Sequence, residues 1–357
     1  MNQALAKRSD FYPFHYWHCP AVSDVGGSAT EFLRRLQGPT HIYIAGEDSS
    51  RCRVVVTLLH GNEPSGFFAI FRLLQRQVRP AVDLHCFIPS VAAAQASPGF
   101  FYRMLPDEAD LNRCFKPPYT DSPQSRLAKG ILDTLEQFQP EAIIDIHNTS
   151  GSGPSFGVST FADARHEALV SLFTQRMIIT DLSLGALMEI SEAHFPTVTV
   201  ECGGAQDVGS NRLAEEGLVQ FACRSDVLTP PPADFTLDFF YNPIRLELRD
   251  QARVSYGEEP SPYHDVTLLP QIEHYNFGFI EVGTPLGYIA ADFRDLLTAA
   301  DSLGNDHLTE YFQVVDGQLV PTQALKLFMV TTNPEIARKD CLFYLVPAVL
   351  ASESHPI

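Results

Sequence analysis

The sequence predicts an α/β fold: a mostly parallel mixed sheet flanked by helices, followed by a smaller β-rich C-terminal domain. Three observations carry that reading. From about residue 50 to residue 228, short Val/Ile-rich runs alternate with longer stretches of helical periodicity. Thr229-Pro230-Pro231-Pro232-Ala233 then interrupts the chain, since consecutive prolines neither continue a helix nor donate to a sheet ladder. Beyond it, β-type runs such as GFIEVGTPLGYIAA and CLFYLVPAVL are broken by turn residues. The expected domains are therefore residues 1–232, catalytic, and residues 233–357, β-rich.

Taken in order, RVVVTLL (53–59) is the first strand. SGFFAIFRLLQRQV (65–78) places apolar residues at helical spacing, and residues 84–88 return to strand character. SRLAKGILDTLEQF (125–138) is an amphipathic helix, followed by a strand over 142–146. Residues 165–177 and 211–228 read as helices, with TVTV (197–200) a short buried strand between them.

Composition excludes several classes. Lys plus Arg number 25 against 43 Asp plus Glu, a formal charge of -18 that repels a phosphate backbone, so no nucleic-acid partner is expected. No apolar stretch reaches the roughly 18 residues that a membrane-spanning helix requires, and no membrane association is expected. MNQALAKRSDFYPFHYWHCP lacks the apolar segment of a secretory signal, which leads to the expectation of a cytoplasmic protein. The 7 cysteines form no C-x-x-C pair and read as small core residues. His85 and His194 lack a partner pattern and read as packed or solvated. Nothing in the sequence excludes a homo-oligomer.

The chemistry gathers at three strand ends. His60-Gly61-Asn62-Glu63 follows the first strand and offers an imidazole and a carboxylate three positions apart. Alone the pair is a weak signal, but ligands of open α/β sheets bind outside the carboxyl ends of the strands. His147 closes the strand AIID-I, and Asp145, two residues earlier, shares its face and is placed to accept the imidazole's other N–H. Glu201 closes TVTV, where an acidic group is costly to bury unless it has a partner or a task. Two histidines and a carboxylate with one position open form the donor set of a catalytic zinc site, so one Zn2+ per chain is expected on His60, Glu63 and His147. Such an ion lowers the pKa of its water toward about 7, and Glu201 suits the general base. Attack on a carbonyl also builds an oxyanion that needs positive charge nearby. In FYRMLPDEADLNRCF (101–115), Arg103 is the candidate to face that oxyanion, while Asn112 and Arg113 are candidates to hold a substrate carboxylate. The plain alternative for Arg113 is a surface salt bridge to Asp107 or Asp110.

HGNE (60–63), DLNR (110–113), IDIHNTS (144–150) and TVECG (199–203) together resemble the succinylglutamate desuccinylase/aspartoacylase family, itself similar to the zinc carboxypeptidases. The likeness is close over residues 50–205. It implies a zinc carboxypeptidase-like fold, zinc on His60, Glu63 and His147, Glu201 as general base, and Arg103, Asn112 and Arg113 around the substrate. It also implies hydrolysis of the amide bond of a small N-acyl amino acid. A peptide-cleaving zinc carboxypeptidase and a catalytically silent metal-binding homologue are the alternatives. The approach to Glu201, LMEISEAHFPTVTVE (187–201), lacks the arginine with which aspartoacylases hold a side-chain carboxylate, so N-acetylaspartate is not the expected substrate. A tyrosine from the C-terminal domain also enters the aspartoacylase pocket; Tyr241, Tyr263, Tyr288, Tyr311 and Tyr344 are all available for it.

Overall fold

A computed structural model describes residues 13–149, 151, 153–192, 195–232, 234–339 and 341–348. The N-terminal twelve residues and His194, both read above, lie outside it. The chain divides into two compact units: residues up to 179 with 183–239, and residues 180–182 with 240 onward.

The first unit is built on a mixed sheet. Its strands are β1 (His15–His18), β2 (Thr40–Ile44), β3 (Asp48–Thr57), β4 (Val82–Ile88), β5 (Ile143–Thr149), β6 (Phe156–Ser159), β7 (Arg176–Ile179), β8 (Thr197–Gly204) and β9 (Asp238–Tyr241). Their order is β1-β2-β4-β3-β5-β8-β6-β7-β9. The centre, β4-β3-β5-β8, is parallel, while β2 against β4 and β6 against β8 are antiparallel. Successive residues of each central strand enter different cores. Val55, Ile144, Val198 and Val200 pack with Phe67, Ile70 and Phe71 of helix Ser65–Gln75 and with Ala214, Leu218 and Phe221 of helix Val208–Cys223. Val54, Val56 and Ile143 pack with Ala128, Ile131 and Leu135 of helix Pro123–Phe138. Burial on both faces is why these strands read as unbroken apolar runs.

Arg53 is a fully buried cation in this unit. It pairs with Glu141 Oε1 at 2.5 Å and donates to the carbonyls of Phe221, Arg224 and Ser225, closing the end of helix Val208–Cys223 onto β3. On the sheet's other flank His41 and His85 are buried side by side, Nε2 to Nδ1 at 2.9 Å, His85 stacked on Phe138 and His41 on Phe87. His85 is thus a packed histidine.

Two sequence readings are corrected here. The helix expected over 165–177 is Ala164–Ser171; the chain then turns, and Arg176–Ile179 is strand β7. The cysteines are not uniformly core residues, since Cys19 and Cys223 are exposed while Cys86, Cys202 and Cys341 are buried.

In the second unit, two five-stranded sheets enclose a core that includes Leu246, Leu268, Leu286, Leu319, Leu325 and Leu345. No described helix is long and apolar enough to cross a membrane.

Candidate active site

β3, β5 and β8 are neighbours running the same way, so their carboxyl ends open on one edge of the sheet. His60 and Glu63 follow β3, His147 lies in β5, and Glu201 lies in β8 directly opposite His147 in the register. The turn after β3 passes through Leu58 at φ +52, a left-handed conformation that costs a branched side chain roughly 1–2 kcal/mol. The Gly61 N–H donates to the Arg103 carbonyl at 2.8 Å, and a Cβ on Gly61 would lie 2.7 Å from Ala93 Cβ, Ala94 N and Tyr102 O. A glycine there lets the 102–103 segment approach the turn that carries His60.

Glu63 bridges the two imidazoles. Its Oε1 lies 2.9 Å from His60 Nδ1 and its Oε2 lies 2.7 Å from His147 Nδ1. The outer ring nitrogens also meet carboxylates: His60 Nε2 is 2.9 Å from Asp110 Oδ1, and His147 Nε2 is 2.8 Å from Asp145 Oδ2. All five groups except Asp110 are deeply buried. Burial alone would depress both imidazoles, but Glu63 and Asp110 raise His60, and Asp145 and Glu63 raise His147 well above its ordinary value. Burial opposes ionisation of Glu63 too, yet the two facing histidines hold its carboxyl far below the usual range.

A neutral imidazole has one N–H and cannot donate to a carboxylate at both nitrogens. Protons on the imidazoles satisfy all of these contacts; with neutral rings whose outer nitrogens donate to Asp110 and Asp145, both Nδ1 lone pairs face Glu63 and the three groups form a donor set for a cation. Their ligand atoms lie within 4.8 Å of one another. Two imidazoles of fixed tautomer and one carboxylate suit a zinc-type divalent ion.

Glu201 is half-buried, and its Oε2 is shielded from solvent with no hydrogen-bond partner. Burial pushes its carboxyl up to about 7; the His147 charge pulls the other way and Glu63 adds to the rise. A carboxyl poised near neutrality is matched to moving a proton.

Arg103 reaches this centre, with Nη1 3.3 Å from Glu63 Oε1 and Nη2 3.0 Å from Asp110 Oδ2, its side chain 38% exposed. Arg113 is exposed, and its Nη1 donates to the Asn112 carbonyl at 2.7 Å. Asp110 is paired with His60 and Arg103, not with Arg113, which leaves Asp107 as the other partner that the surface-pair alternative named. Asn112 is buried, and its Oδ1 accepts from the Leu187 N–H at 3.0 Å, which ties the DLNR turn to the segment approaching Glu201. Ala193 and His194 of that segment lie outside the described residues.

Asp110 is the site residue that sequence reasoning did not single out. Besides holding His60 and Arg103 it caps the Leu111–Arg113 turn by accepting from the Asn112 N–H at 2.9 Å. Only its position opening the DLNR motif hinted at this; the partner lies 50 positions away.

Residues 54–225 match the sequence profile described as the succinylglutamate desuccinylase/aspartoacylase catalytic domain. No curated protein sequence matches the chain. Among solved structures, it is similar to a succinylglutamate desuccinylase/aspartoacylase from Rhodobacter sphaeroides, with TM-score 0.56 and 16% identity over 88% of this chain and 89% of that one. A succinylglutamate desuccinylase from a Silicibacter species gives 0.53 and 16% over 85% and 86%. Another, from Chromobacterium violaceum, gives 0.52 and 13% over 86% and 87%. At these identities the likeness is one of fold.

Proposed function

We propose, from the premise that residues 54–225 of this chain belong to the succinylglutamate desuccinylase/aspartoacylase catalytic-domain family, that the protein is a zinc-dependent amidohydrolase cleaving the amide bond of a small N-acyl amino acid. The observation that carries the reading is the convergence, at three adjacent strand ends, of a His60–Glu63–His147 donor set and a carboxylate, Glu201, with a shielded oxygen and no partner.

His60, Glu63 and His147 would hold the ion, and Asp145 would fix the His147 tautomer. Zinc, when bound, supplies an activated water and polarises the carbonyl. Glu201 takes the proton of the attacking water and delivers it to the departing amine; its raised pKa suits both directions. Arg103, partly exposed beside Glu63, presents its guanidinium to the developing oxyanion. Arg113 exchanges the Asn112 carbonyl for the substrate carboxylate, which a planar guanidinium matches with two parallel hydrogen bonds.

The experiment is amine release from a panel of N-acylated amino acids and short peptides with zinc present, run beside Glu201→Gln. Turnover of acyl amino acids by the wild type alone supports the proposal. Cleavage confined to peptides moves it to a carboxypeptidase, and undiminished turnover by the variant removes Glu201 from the chemistry.

A further inference from the structure

β5 and β8 stay in step from Ile143 against Thr197 to His147 against Glu201, and then Thr149 pairs with Gly204. Two steps along β5 thus oppose three along β8. β8 carries one extra residue immediately after Glu201, a bulge at the point where it aims that side chain. Gly203 within it has φ +100, and a Cβ there would lie 2.7 Å from the Gly153 carbonyl and 2.8 Å from Ser210 Oγ.

Asn148 sits across from this bulge, 3% exposed. Its Nδ2 donates to the Gly203 carbonyl at 2.9 Å and to Ser65 Oγ at 2.8 Å, and its Oδ1 accepts from the Ser65 N–H at 3.0 Å. Helix Ser65–Gln75 starts at Pro64 without a side-chain cap of its own, so Asn148 supplies that cap from another strand. The Asn148 N–H also faces Glu63 Oε2 at 3.4 Å. Each contact lies one or two positions from a candidate group: Ser65 follows Glu63, Gly203 follows Glu201, and Asn148 adjoins His147. One buried amide therefore spans all three strand ends.

We propose that Asn148 is the positioning residue of this centre, fixing the Glu63 turn against the His147 strand and pinning the β8 bulge that directs Glu201. The inference rests on the metal-centre reading above. Loss of an outer hydrogen-bonding partner of a metal site typically weakens binding 10–100-fold, and a buried amide replaced by methyl also leaves the Gly203 carbonyl and the Ser65 N–H without partners.

The test measures zinc affinity by competition with a chromophoric chelator, and amide hydrogen exchange over residues 201–204 in the zinc-free protein. Wild type is compared with Asn148→Ala, Asn148→Ser and Asn211→Ala. Asn211 accepts from Ser65 Oγ at 2.8 Å and belongs to the same network without spanning the strands, so its variant controls for general loosening. Asn148→Ala should weaken zinc roughly 10–100-fold and speed exchange over 201–204. Asn148→Ser, which keeps one donor and one acceptor on a shorter arm, should fall between it and wild type, and it carries the test if the alanine variant fails to fold. Asn211→Ala should lower thermal stability with zinc affinity unchanged. If wild type binds zinc and both Asn148 variants bind it as tightly, the positioning role is overturned while the metal-centre reading stands. If wild type itself takes up no zinc, that reading fails and the inference falls with it.

Discussion

Acid should loosen the first unit through the His41–His85 pair, independently of the active site. The two rings share one hydrogen bond between neutral nitrogens at 2.9 Å, with Tyr16, Phe87 and Phe138 around them. Protonating the accepting ring removes the acceptor and sets two N–H groups face to face, while protonating the donating ring leaves a buried imidazolium beside it. Burial accordingly lowers His85 to about 4 from 6.5, and burial with the neighbouring His85 lowers His41 well below 6.5. Both groups are depressed histidines, so the unfolded chain binds more protons than the folded one between the two values. Stability contributed by neutral burial is complete above the unfolded value and is lost as pH falls through that window. For His85 alone, a 2.5-unit gap at about 1.36 kcal/mol per unit is about 3.4 kcal/mol when fully expressed, of which about 1.8 kcal/mol is lost between pH 7 and pH 5. His41 adds to this in the same direction.

The assay is urea denaturation at pH 7 and pH 5 followed by fluorescence of Trp17, the only tryptophan, in strand β1 paired to the strand that carries His41. A His41→Leu, His85→Leu double variant should lose at least about 2 kcal/mol less than wild type over the same pH step. An equal loss in both proteins would refute the argument and assign the acid sensitivity to other groups.

Three further outcomes follow from the geometry. Gly61→Ala should cost about 1–3 kcal/mol in a thermal scan, because the new methyl meets two backbone atoms and Ala93 at 2.7 Å, and it should also weaken zinc uptake by displacing His60 from Arg103; normal uptake would show that the turn gives way elsewhere. Arg53→Met should cost about 2–5 kcal/mol in denaturant, since it leaves the buried Phe221 carbonyl and the Arg224 carbonyl without their donor while Arg51 still holds Glu141 and the Ser225 carbonyl, and a loss below about 1 kcal/mol would mean that water replaces the guanidinium. Stripping zinc with a chelator should lower the thermal midpoint, by the equivalent of about 4 kcal/mol when free zinc had stood at a thousandfold its dissociation constant; an unmoved midpoint would argue against the donor set as a metal site.

The site's groups on the central strands were legible in sequence, because strands buried on both faces leave continuous apolar signatures and polar residues stand out at their ends. VVV before His60, II before Asp145 and TVTV before Glu201 mark β3, β5 and β8, though nothing in sequence says that the three are neighbours. What stayed hidden depends on long-range contact. Asp110 holds His60 across 50 positions, and Asn148 reads as an ordinary strand-end residue until Ser65 and Gly203 are beside it. The helix that ends at Ser171 looked longer because Leu172 and Phe173 keep helical spacing. Phe173 instead packs on Gly217, where a Cβ would come within 2.0 Å of its ring. β1 and β2 escaped notice because they lie before the region of regular alternation.

The strand order has a consequence for how the chain is made. β6 and β7 leave the ribosome before β8, yet they join the sheet only through it, since β8 lies between β5 and β6. From the completion of β5 until Thr197 emerges, at roughly 5–20 residues per second, the apolar edge of Ile143–Thr149 waits several seconds without its partner. The strand that brings Glu201 is also the strand that closes this edge. A growing chain therefore acquires Glu201, the proposed base, and covers this strand edge in the same event, and any stall in synthesis between residues 150 and 197 leaves an intermediate with an open edge for other chains to pair with.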